Sequence, residues 1–312
     1  MREPTFRTGL VRVRVPATSA NLGPGFDACG LALALYDDVV VQATRSGLQV
    51  DIEGEGAAAV PRTEKHLVVQ ALRTGLTALG GQPDGLALRC TNRIPHGRGL
   101  GSSAAAIVAG LVAARALVAD GQERLDDAAL LQLASRLEGH PDNVAACLHG
   151  SYTVAWTGDD AVAHARRLDV GPGLLPVAFV PATQVRTSKA RRLLPSAVPF
   201  ADAALDAGRA ALLTAAVTAD PVDLEVLLAA TEDRLHQPYR AAAMPRSAAL
   251  VERLRDDGVA AVISGAGPTV LALCDQAGAA RVADLSVRGF SVHVLDIDRL
   301  GTRVMRLRSV PR

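Results

Sequence analysis

Lysine is nearly absent from this chain of 312 residues. Lys65 and Lys189 are the only lysines, so arginine supplies almost all of the 33 basic side chains. No Gly-x-x-x-x-Gly-Lys-Ser/Thr sequence occurs, which excludes an ordinary P-loop, in which the lysine reaches the nucleotide phosphates. Any nucleotide site must therefore rely on backbone amides, a helix dipole, arginine or a metal ion.

Cysteine is scarce and scattered. Cys29, Cys90, Cys147 and Cys274 lie far apart and form no Cys-x-x-Cys pair, so neither a zinc site nor a disulfide framework is supported. We expect buried free thiols in a reducing compartment.

Net charge is also close to zero. With 33 basic and 32 acidic side chains, the chain has a formal net charge of +1 and lacks the field that attracts nucleic acid or an acidic membrane surface. The first residues carry no hydrophobic signal-peptide segment, and the most apolar run, residues 104–118, contains Arg115 and is too short to span a bilayer. These absences predict a cytoplasmic protein without nucleic-acid or membrane partners.

The length favours two domains. At about 150 residues per domain, a chain of 312 residues fills two, and 49% hydrophobic with 21% charged residues suits a soluble protein with a large core. Gly171-Pro172-Gly173 interrupts the chain near its middle. We place the boundary there, with domains at residues 1–170 and 171–312.

Hydrophobic periodicity predicts a mixture of strands and helices. Val11–Val15 alternates with arginine and predicts a strand that ends at Pro16, followed by a polar, glycine-containing loop over residues 17–27. Residues 103–118 predict a helix that is apolar on nearly all sides and should lie buried between layers. Further along, we expect Pro238 to force a turn.

The stretch from Pro95 to Ala106 joins a glycine-rich loop to the start of this helix. Its glycines are Gly97, Gly99 and Gly101. They let the backbone take positive φ and approach a ligand closely, and the first-turn N–H groups of a helix suit an anion. Ser102 or Ser103 is expected to cap the helix. Spacing alone leaves two possibilities: a phosphate-binding loop, or a capped buried helix behind a turn.

Two other polar clusters are candidates for function. In the predicted loop, Asn21 offers a donor and an acceptor and Asp27 a carboxylate, as a small polar ligand needs. Residues 138–143 read Glu-Gly-His-Pro-Asp-Asn. The alternatives are a wide structural connection for the first cluster, and helix capping by Asp142 or Asn143 for the second.

Taken together, three stretches resemble the three motifs of the GHMP small-molecule kinases. They are residues 15–27, 97–105 and 263–270, and the match spans nearly the whole chain. The first is close to the form seen in homoserine kinases. Shorter segments also look like that branch: residues 138–145, 187–191 and 236–240. The resemblance implies an α+β fold with GHMP kinase architecture, namely a ribosomal-protein-S5-domain-2-like N-terminal domain and a ferredoxin-like C-terminal domain.

The resemblance also implies roles for individual residues. For the amino-acid substrate it implies Asn21, Asp27, His140, Arg191 and Arg240. For catalysis near the transferred phosphate it implies Asn143 and Thr187, with Asp27 as the candidate to accept a proton or orient the hydroxyl. For the nucleotide phosphates it implies Pro95, Gly97, Arg98, Gly99, Leu100, Gly101, Ser102, Ser103 and Ala104. For Mg²⁺ it implies Ser103 and Glu138, whose hard oxygens suit that ion.

The implied activity is transfer of the γ-phosphoryl group of ATP to the side-chain hydroxyl of L-homoserine, giving O-phospho-L-homoserine for threonine biosynthesis. ATP and Mg²⁺ are the implied cofactors, and relatives suggest a homodimer. The alternatives are another GHMP kinase, such as a mevalonate or shikimate kinase, a diphosphate decarboxylase, or a catalytically silent RNA-associated module of the same fold. His66 stands where relatives often have an asparagine near the nucleotide, which leaves the base contacts open.

Overall fold

The computed structural model describes residues 3–185 and 187–307. In the first half the elements are β1 (Leu10–Asn21), β2 (Gly25–Thr44), β3 (Gly47–Gly54), α1 (Leu67–Ala78), β4 (Gly85–Asn92), α2 (Ser102–Leu117), α3 (Gly121–Arg124), α4 (Asp127–Glu138), α5 (Asp142–His149), β5 (Tyr152–Thr157) and β6 (Ala163–Leu168). In the second half they are β7 (Leu175–Pro181), α6 (Thr187–Arg191), α7 (Phe200–Thr218), α8 (Leu224–Ala230), α9 (Gln237–Arg240), a 3₁₀ turn (Ala241–Ala243), α10 (Pro245–Asp256), β8 (Ala260–Ile263), β9 (Val270–Cys274), α11 (Gln276–Ala283), β10 (Phe290–Val294) and β11 (Arg303–Leu307).

The strands form two sheets. The larger has seven strands in the order β11-β1-β2-β4-β3, with β5 paired to β2 and β6 paired to β5. Among the described strands of this sheet, only β3 and β4 pair in parallel, and α1 lies between them in the chain. The smaller sheet has the order β10-β7-β9-β8 and is antiparallel throughout. Its β-α-β-β-α-β succession is that of ferredoxin-like domains, and the predicted α+β fold class is confirmed.

Helix α2 lies inside the first half of the chain. Eleven of its 16 residues are buried, and it contacts α1, α4, α5 and β1. Because neighbours cover it on several sides, it needs no polar face. The predicted burial of this helix is confirmed, and it fixes the direction in which the helix N-terminus points.

The predicted end of the first strand at Pro16 is wrong. β1 continues through Pro16 to Asn21, and β2 begins at Gly25 and runs for 20 residues. Only three residues of the predicted loop 17–27 therefore connect the strands. The register of the pair shifts between Pro16 and Ala17, and such a bulge accommodates the hydrogen bond that a proline nitrogen cannot donate.

Pro238 also departs from its expected role. It lies in the first turn of α9, where a missing N–H breaks no hydrogen bond, so a helix starts there. Asp233 organises the preceding turn by accepting the N–H groups of residues 235–237. As a result, α9 carries Arg240 at a defined place beside the β1–β2 connection.

The end of the described chain returns to the first sheet. β11 pairs with β1, whereas the smaller sheet uses strands between residues 175 and 294. The domain ranges 1–170 and 171–312 stay a prediction, and their residues 1, 2, 186 and 308–312 lie outside the described residues.

The four cysteines are buried and free, as predicted. In the two described ranges, no helix combines the length and the apolar character needed to cross a membrane.

Candidate active site

A polar cavity lies where the glycine-rich loop, the β1–β2 connection and helices α6 and α9 meet. Most of the residues predicted for substrate, phosphate or metal line it: Asn21, Asp27, Gly97, Gly99, Gly101, Ser102, Ser103, Glu138, His140, Asn143, Thr187, Arg191 and Arg240. The first ten belong to the first half of the chain and the last three to the second half. The fold thus brings together residues that are more than 200 positions apart.

The backbone of the glycine-rich loop is held against two other segments. A Cβ atom at Gly99 would stand 2.2 Å from the carbonyl oxygen of Ser264, and one at Gly101 would stand 1.9 Å from Oγ1 of Thr18. Both glycines have positive φ, 81° and 70°, a region that other residues rarely adopt. These positions therefore require glycine, and the loop lies in direct contact with the other two motifs.

The predicted serine cap of α2 is wrong. The N-cap position is Gly101, and no side chain caps the helix. Ser102 and Ser103 already lie in the first helical turn, too far along to cap it. The hydroxyl of Ser103 instead donates to Oε2 of Glu138 at 2.7 Å. Burial raises the pKa of Glu138, while this hydrogen bond opposes the rise.

Asp27 and Arg191 form a bidentate ion pair in the cavity. Nη1 and Nη2 of Arg191 donate to the two carboxylate oxygens of Asp27, each at 2.8 Å. These hydrogen bonds raise the pKa of Arg191 above its usual value. Asn21 braces the same turn, because its Oδ1 accepts the N–H of Asp27 at 3.0 Å and its Nδ2 donates to the carbonyl of Gly265 at 3.0 Å.

Arg240 is the second guanidinium of the cavity. Only 2% of the residue is exposed, and it has no carboxylate partner within 4.0 Å in the described part of the chain. Its Nε is buried without a hydrogen bond there. Burial lowers the pKa of Arg240, and the positive charge of Arg191 adds to the effect. The guanidinium carbons of Arg191 and Arg240 stand 5.6 and 5.2 Å from the ring centre of Phe26.

The segment from His140 to Asn143 forms part of the cavity wall. Nδ1 of His140 donates to Oδ1 of Asp142 at 2.5 Å, and the same oxygen accepts the N–H of Asn143 at 2.7 Å. Burial lowers the pKa of His140, but the hydrogen bond and charge of Asp142 outweigh burial and raise it overall. Oδ1 of Asn143 accepts the hydroxyl of Thr18 at 2.7 Å, which ties this wall to β1.

Four predicted phosphate-loop residues are absent from the described lining of the cavity: Pro95, Arg98, Leu100 and Ala104. Arg98 points towards the smaller sheet, where it donates to the carbonyls of Pro181 and Ala182. Leu100 and Ala104 are buried in the core. In the loop itself, the residues between the glycines therefore point away from the cavity.

Sequence reasoning assigned no role to some of the residues that line the cavity. These are Asp142, Val185, Gly265, Ala266 and Gly267. Gly265 and Gly267 belong to the third motif, residues 263–270, so the sequence already placed them in a segment with a predicted function. Asp142 stood in the polar hexapeptide, and only the structure shows that its carboxylate holds His140.

A second, mainly apolar cavity adjoins the first. Ser102 and Ser103 line both, and the second extends over Val60, Leu67 and His66. Both ring nitrogens of His66 are buried and have no hydrogen-bond partner among the described residues. Burial lowers the pKa of His66, so the ring is neutral near pH 7 and can offer both a donor and an acceptor.

For metal ligands, the described ranges contain no cluster of three or more His, Cys, Asp or Glu side chains. The predicted pair is smaller. Ser103 and Glu138 offer a hydroxyl and a carboxylate oxygen 2.7 Å apart at the edge of the cavity. Hard oxygens of this kind suit Mg²⁺, which usually takes one or two protein ligands together with phosphate oxygens and water.

Comparison with known proteins gives consistent matches. The family model described as GHMP kinases N terminal domain matches residues 66–151, and GHMP kinases C terminal matches residues 202–284. The homoserine kinase of Streptomyces avermitilis is 60% identical over 307 residues, which cover 98% of this chain and 99% of that protein. The crystal structure of homoserine kinase from Cytophaga hutchinsonii has a TM-score of 0.83 at 27% identity and covers 98% of this chain and 100% of that chain.

A more distant structure shows the fold alone. Mevalonate diphosphate decarboxylase from Staphylococcus aureus has a TM-score of 0.69 at 17% identity and covers 95% of this chain and 98% of that chain. The predicted GHMP architecture is therefore confirmed by structure, and the narrower assignment depends on sequence identity over the full length. At that identity and coverage, the chain belongs to the GHMP kinases and, within them, to the homoserine kinases.

Proposed function

We propose that this protein transfers the γ-phosphoryl group of ATP to the side-chain hydroxyl of L-homoserine, releasing ADP, O-phospho-L-homoserine and a proton. The observation that carries the proposal is Arg240, a buried arginine without a carboxylate partner among the described residues, which shares a cavity with the glycine-rich loop. An unpaired buried charge is unfavourable. The α-carboxylate of an amino acid would supply its partner.

The other charges of the cavity also suit a zwitterion. Arg191 stands beside Arg240 over the ring of Phe26, so two guanidinium groups can bind one carboxylate. Asp27 then offers its carboxylate to the α-ammonium group or to the hydroxyl of the substrate. Mevalonate has no ammonium group and would leave Asp27 without a cationic partner from the substrate.

The two adjoining cavities suit the two ends of ATP. The backbone at Gly99 to Ser103, with the dipole of α2, would hold the phosphates, because the first-turn N–H groups of a helix have no intrahelical acceptor. The apolar cavity on the other side of Ser102 and Ser103 would hold the base. The two unsatisfied nitrogens of His66 are available to it as hydrogen-bonding groups.

Ser103 and Glu138 would hold Mg²⁺. When bound, this ion neutralises charge on the phosphate oxygens. In this chain the hydroxyl of Ser103 already points at Glu138, so the two oxygens are oriented towards one place. Burial raises the pKa of Glu138, and the bound ion would provide a positive charge that favours its ionised carboxylate.

Positioning by the protein accounts for the transfer step. A loose phosphoryl-transfer transition state asks mainly for alignment and for stabilisation of charge on the phosphoryl oxygens. Thr187 and Asn143 line the same cavity as the arginines and the loop and would contact the transferred group. Both oxygens of Asp27 bind Arg191, which favours orientation of the hydroxyl over removal of its proton.

A coupled assay of ADP release tests the proposal. With ATP and Mg²⁺, we expect turnover with L-homoserine and none with mevalonate or shikimate. Mass spectrometry of the product should show O-phospho-L-homoserine. Turnover of mevalonate without turnover of homoserine would refute the proposal, and carbon dioxide release from mevalonate diphosphate would identify a decarboxylase instead.

The substitution Asp27→Asn separates the two possible contacts of that carboxylate. Asparagine keeps one acceptor oxygen but loses the negative charge and the second oxygen, both of which hold the group in place through Arg191. We expect kcat to fall by roughly 10- to 100-fold and the KM of homoserine to rise by less. Steady-state kinetics at saturating ATP measure both. A larger change in KM than in kcat would assign Asp27 to the ammonium group.

Ser103→Ala tests the proposed metal site. Loss of the hydroxyl removes one hard oxygen beside Glu138, so the Mg²⁺ concentration for half-maximal turnover should rise by about tenfold or more. Ser102→Ala is the matched control, because Ser102 lines the same cavity and has no hydrogen bond to Glu138. Equal Mg²⁺ dependence in both variants would argue against Ser103 as a ligand.

We also propose that the protein is a cytoplasmic homodimer that needs no nucleic-acid or membrane partner. The resemblance to homoserine kinases supports the dimer, and four free, buried thiols suit a reducing compartment. Sedimentation equilibrium of the purified protein tests the dimer directly.

A further inference from the structure

His236 is a buried histidine outside the described cavity lining, and it contacts two segments that contribute to that lining. None of the residue is exposed. Its Nε2 lies 2.8 Å from the carbonyl oxygen of Gly23, and its Nδ1 lies 3.3 Å from Nη1 of Arg240. Its ring packs on Phe26 with the centres 5.1 Å apart. One imidazole therefore joins the β1–β2 connection to the arginine of α9.

The partners of the ring determine its protonation. A guanidinium group can only donate, so Nδ1 of His236 must present its lone pair to Arg240. Nε2 must then carry the hydrogen, which it donates to the carbonyl of Gly23. Only the neutral Nε2–H tautomer satisfies both contacts. Burial lowers the pKa of His236, and the positive charge of Arg240 lowers it further. The negative charge of Asp233 acts in the opposite direction but does not outweigh burial.

The two partners of His236 belong to two segments that both contribute residues to the substrate cavity. Gly23 belongs to the short connection between Asn21 and Asp27, both of which line the cavity. Arg240 belongs to α9, whose start is fixed by the hydrogen bonds of Asp233 to residues 235–237. The distance between these two segments sets the spacing between Asp27 and Arg240. That spacing determines whether an ammonium group and a carboxylate of one substrate can bind at the same time.

We propose that His236 is a positioning residue for substrate recognition. In its neutral Nε2–H form it holds the guanidinium of Arg240 at a fixed distance from the connection that carries Asp27. The carboxylate and the ammonium group of the amino-acid substrate can then bind Arg240 and Asp27 at the same time. This inference rests on the proposed homoserine kinase activity and extends it to a residue outside the described cavity lining.

Two amide substitutions separate the two hydrogen bonds of His236. In His236→Gln the amide nitrogen replaces the Nε2–H that faces Gly23, and the acceptor for Arg240 is lost. In His236→Asn the amide oxygen replaces the Nδ1 lone pair, and the donor to Gly23 is lost. We expect His236→Gln to raise the KM of homoserine by roughly 10- to 100-fold, the loss typical of a hydrogen bond to a charged group.

The expected pattern differs between the parameters. His236→Asn should raise the KM of homoserine by less than His236→Gln, because it keeps the contact with Arg240. In both variants the KM of ATP should stay within about twofold and kcat should fall by less than KM rises. Leu254→Val is the control for destabilisation alone, since Leu254 is buried in α10 within a separate hydrophobic cluster. It should change the thermal midpoint without changing KM.

The outcomes distinguish this inference from the proposed function. If the wild-type protein neither binds nor phosphorylates homoserine, both the proposed function and the role of His236 are refuted. If the wild type does so and the histidine variants keep its KM, or lose affinity for ATP and homoserine alike, only the positioning role of His236 is refuted. Nitrogen NMR of the wild-type imidazole at pH 7.5 is an independent check. A neutral Nε2–H ring is expected, and an Nδ1–H or doubly protonated ring would overturn the inference even if the variants did not fold.

Discussion

Gly101→Ala is expected to abolish measurable ATP binding, whereas Gly97→Ala should leave the affinity within a few-fold of wild type. Both glycines line the cavity and have similar positive φ values, 70° and 66°. A new Cβ at Gly101 would stand 1.9 Å from Oγ1 of Thr18, but one at Gly97 would meet nothing closer than 3.5 Å. Both alanine variants thus have the strain of a positive φ, but only Gly101→Ala also has a steric clash with Thr18.

The shared strain sets the baseline for this comparison. A left-handed conformation costs a non-glycine residue roughly 1–2 kcal/mol, so both variants should unfold at a lower temperature than wild type. Only Gly101→Ala also displaces the start of α2, because Thr18 is itself held by Asn143. That displacement moves the N–H groups proposed to bind phosphate.

Calorimetric titration of ATP into each folded variant measures the difference, with circular dichroism to follow unfolding. Wild-type affinity in Gly101→Ala would show that the loop does not hold the phosphates. Equal loss of affinity in both variants would show that backbone strain, and not the collision with Thr18, governs the site.

The sequence predicted the parts of the site that depend on local chemistry. Three glycines before an apolar helix indicated a backbone with positive φ, and Gly97, Gly99 and Gly101 all have it. The near absence of lysine correctly pointed away from a P-loop, because this requires only a reading of the residues present. The buried character of α2 followed from its composition.

Other features were wrong or invisible because they depend on distant partners. The strand continues past Pro16 since β2 supplies a pairing partner with a bulge at that point. The hydroxyl of Ser103 points at Glu138, 35 residues away, and does not cap its own helix. The pairing of Asp27 with Arg191 spans 164 residues. No local pattern could have predicted that the two predicted substrate ligands bind each other.

The fold and the acceptor substrate are determined by different residues. A decarboxylase shares this fold at a TM-score of 0.69, so the sheets and the glycine-rich loop do not by themselves select a reaction. We propose that the groups that distinguish an amino acid from other acceptors are charged side chains that line the cavity. Their effect is greatest where a charge is buried and unpaired.

Arg240→Met is expected to raise the KM of homoserine by roughly 10²- to 10³-fold and to leave the KM of ATP unchanged. The α-carboxylate would lose a partner that is 2% exposed, and removal of one member of a buried charge pair costs about 2–5 kcal/mol. Arg191→Met should have a smaller effect, because the side chain of Arg191 is 43% exposed and already paired with Asp27.

The same substitution should not destabilise the free protein. Arg240 is buried without an ion-pair partner among the described residues, and burial already lowers its pKa. The gain from replacing it with an apolar side chain of similar length should offset the lost hydrogen bond to Nδ1 of His236, so we expect the free energy of unfolding to stay nearly unchanged. Homoserine kinetics, together with urea unfolding in the absence of substrate, measure both effects. A large loss of stability would show that Arg240 has a structural role, and unchanged KM would show that the carboxylate binds elsewhere. If affinity falls while stability holds, Arg240 is retained for its ligand and not for the fold.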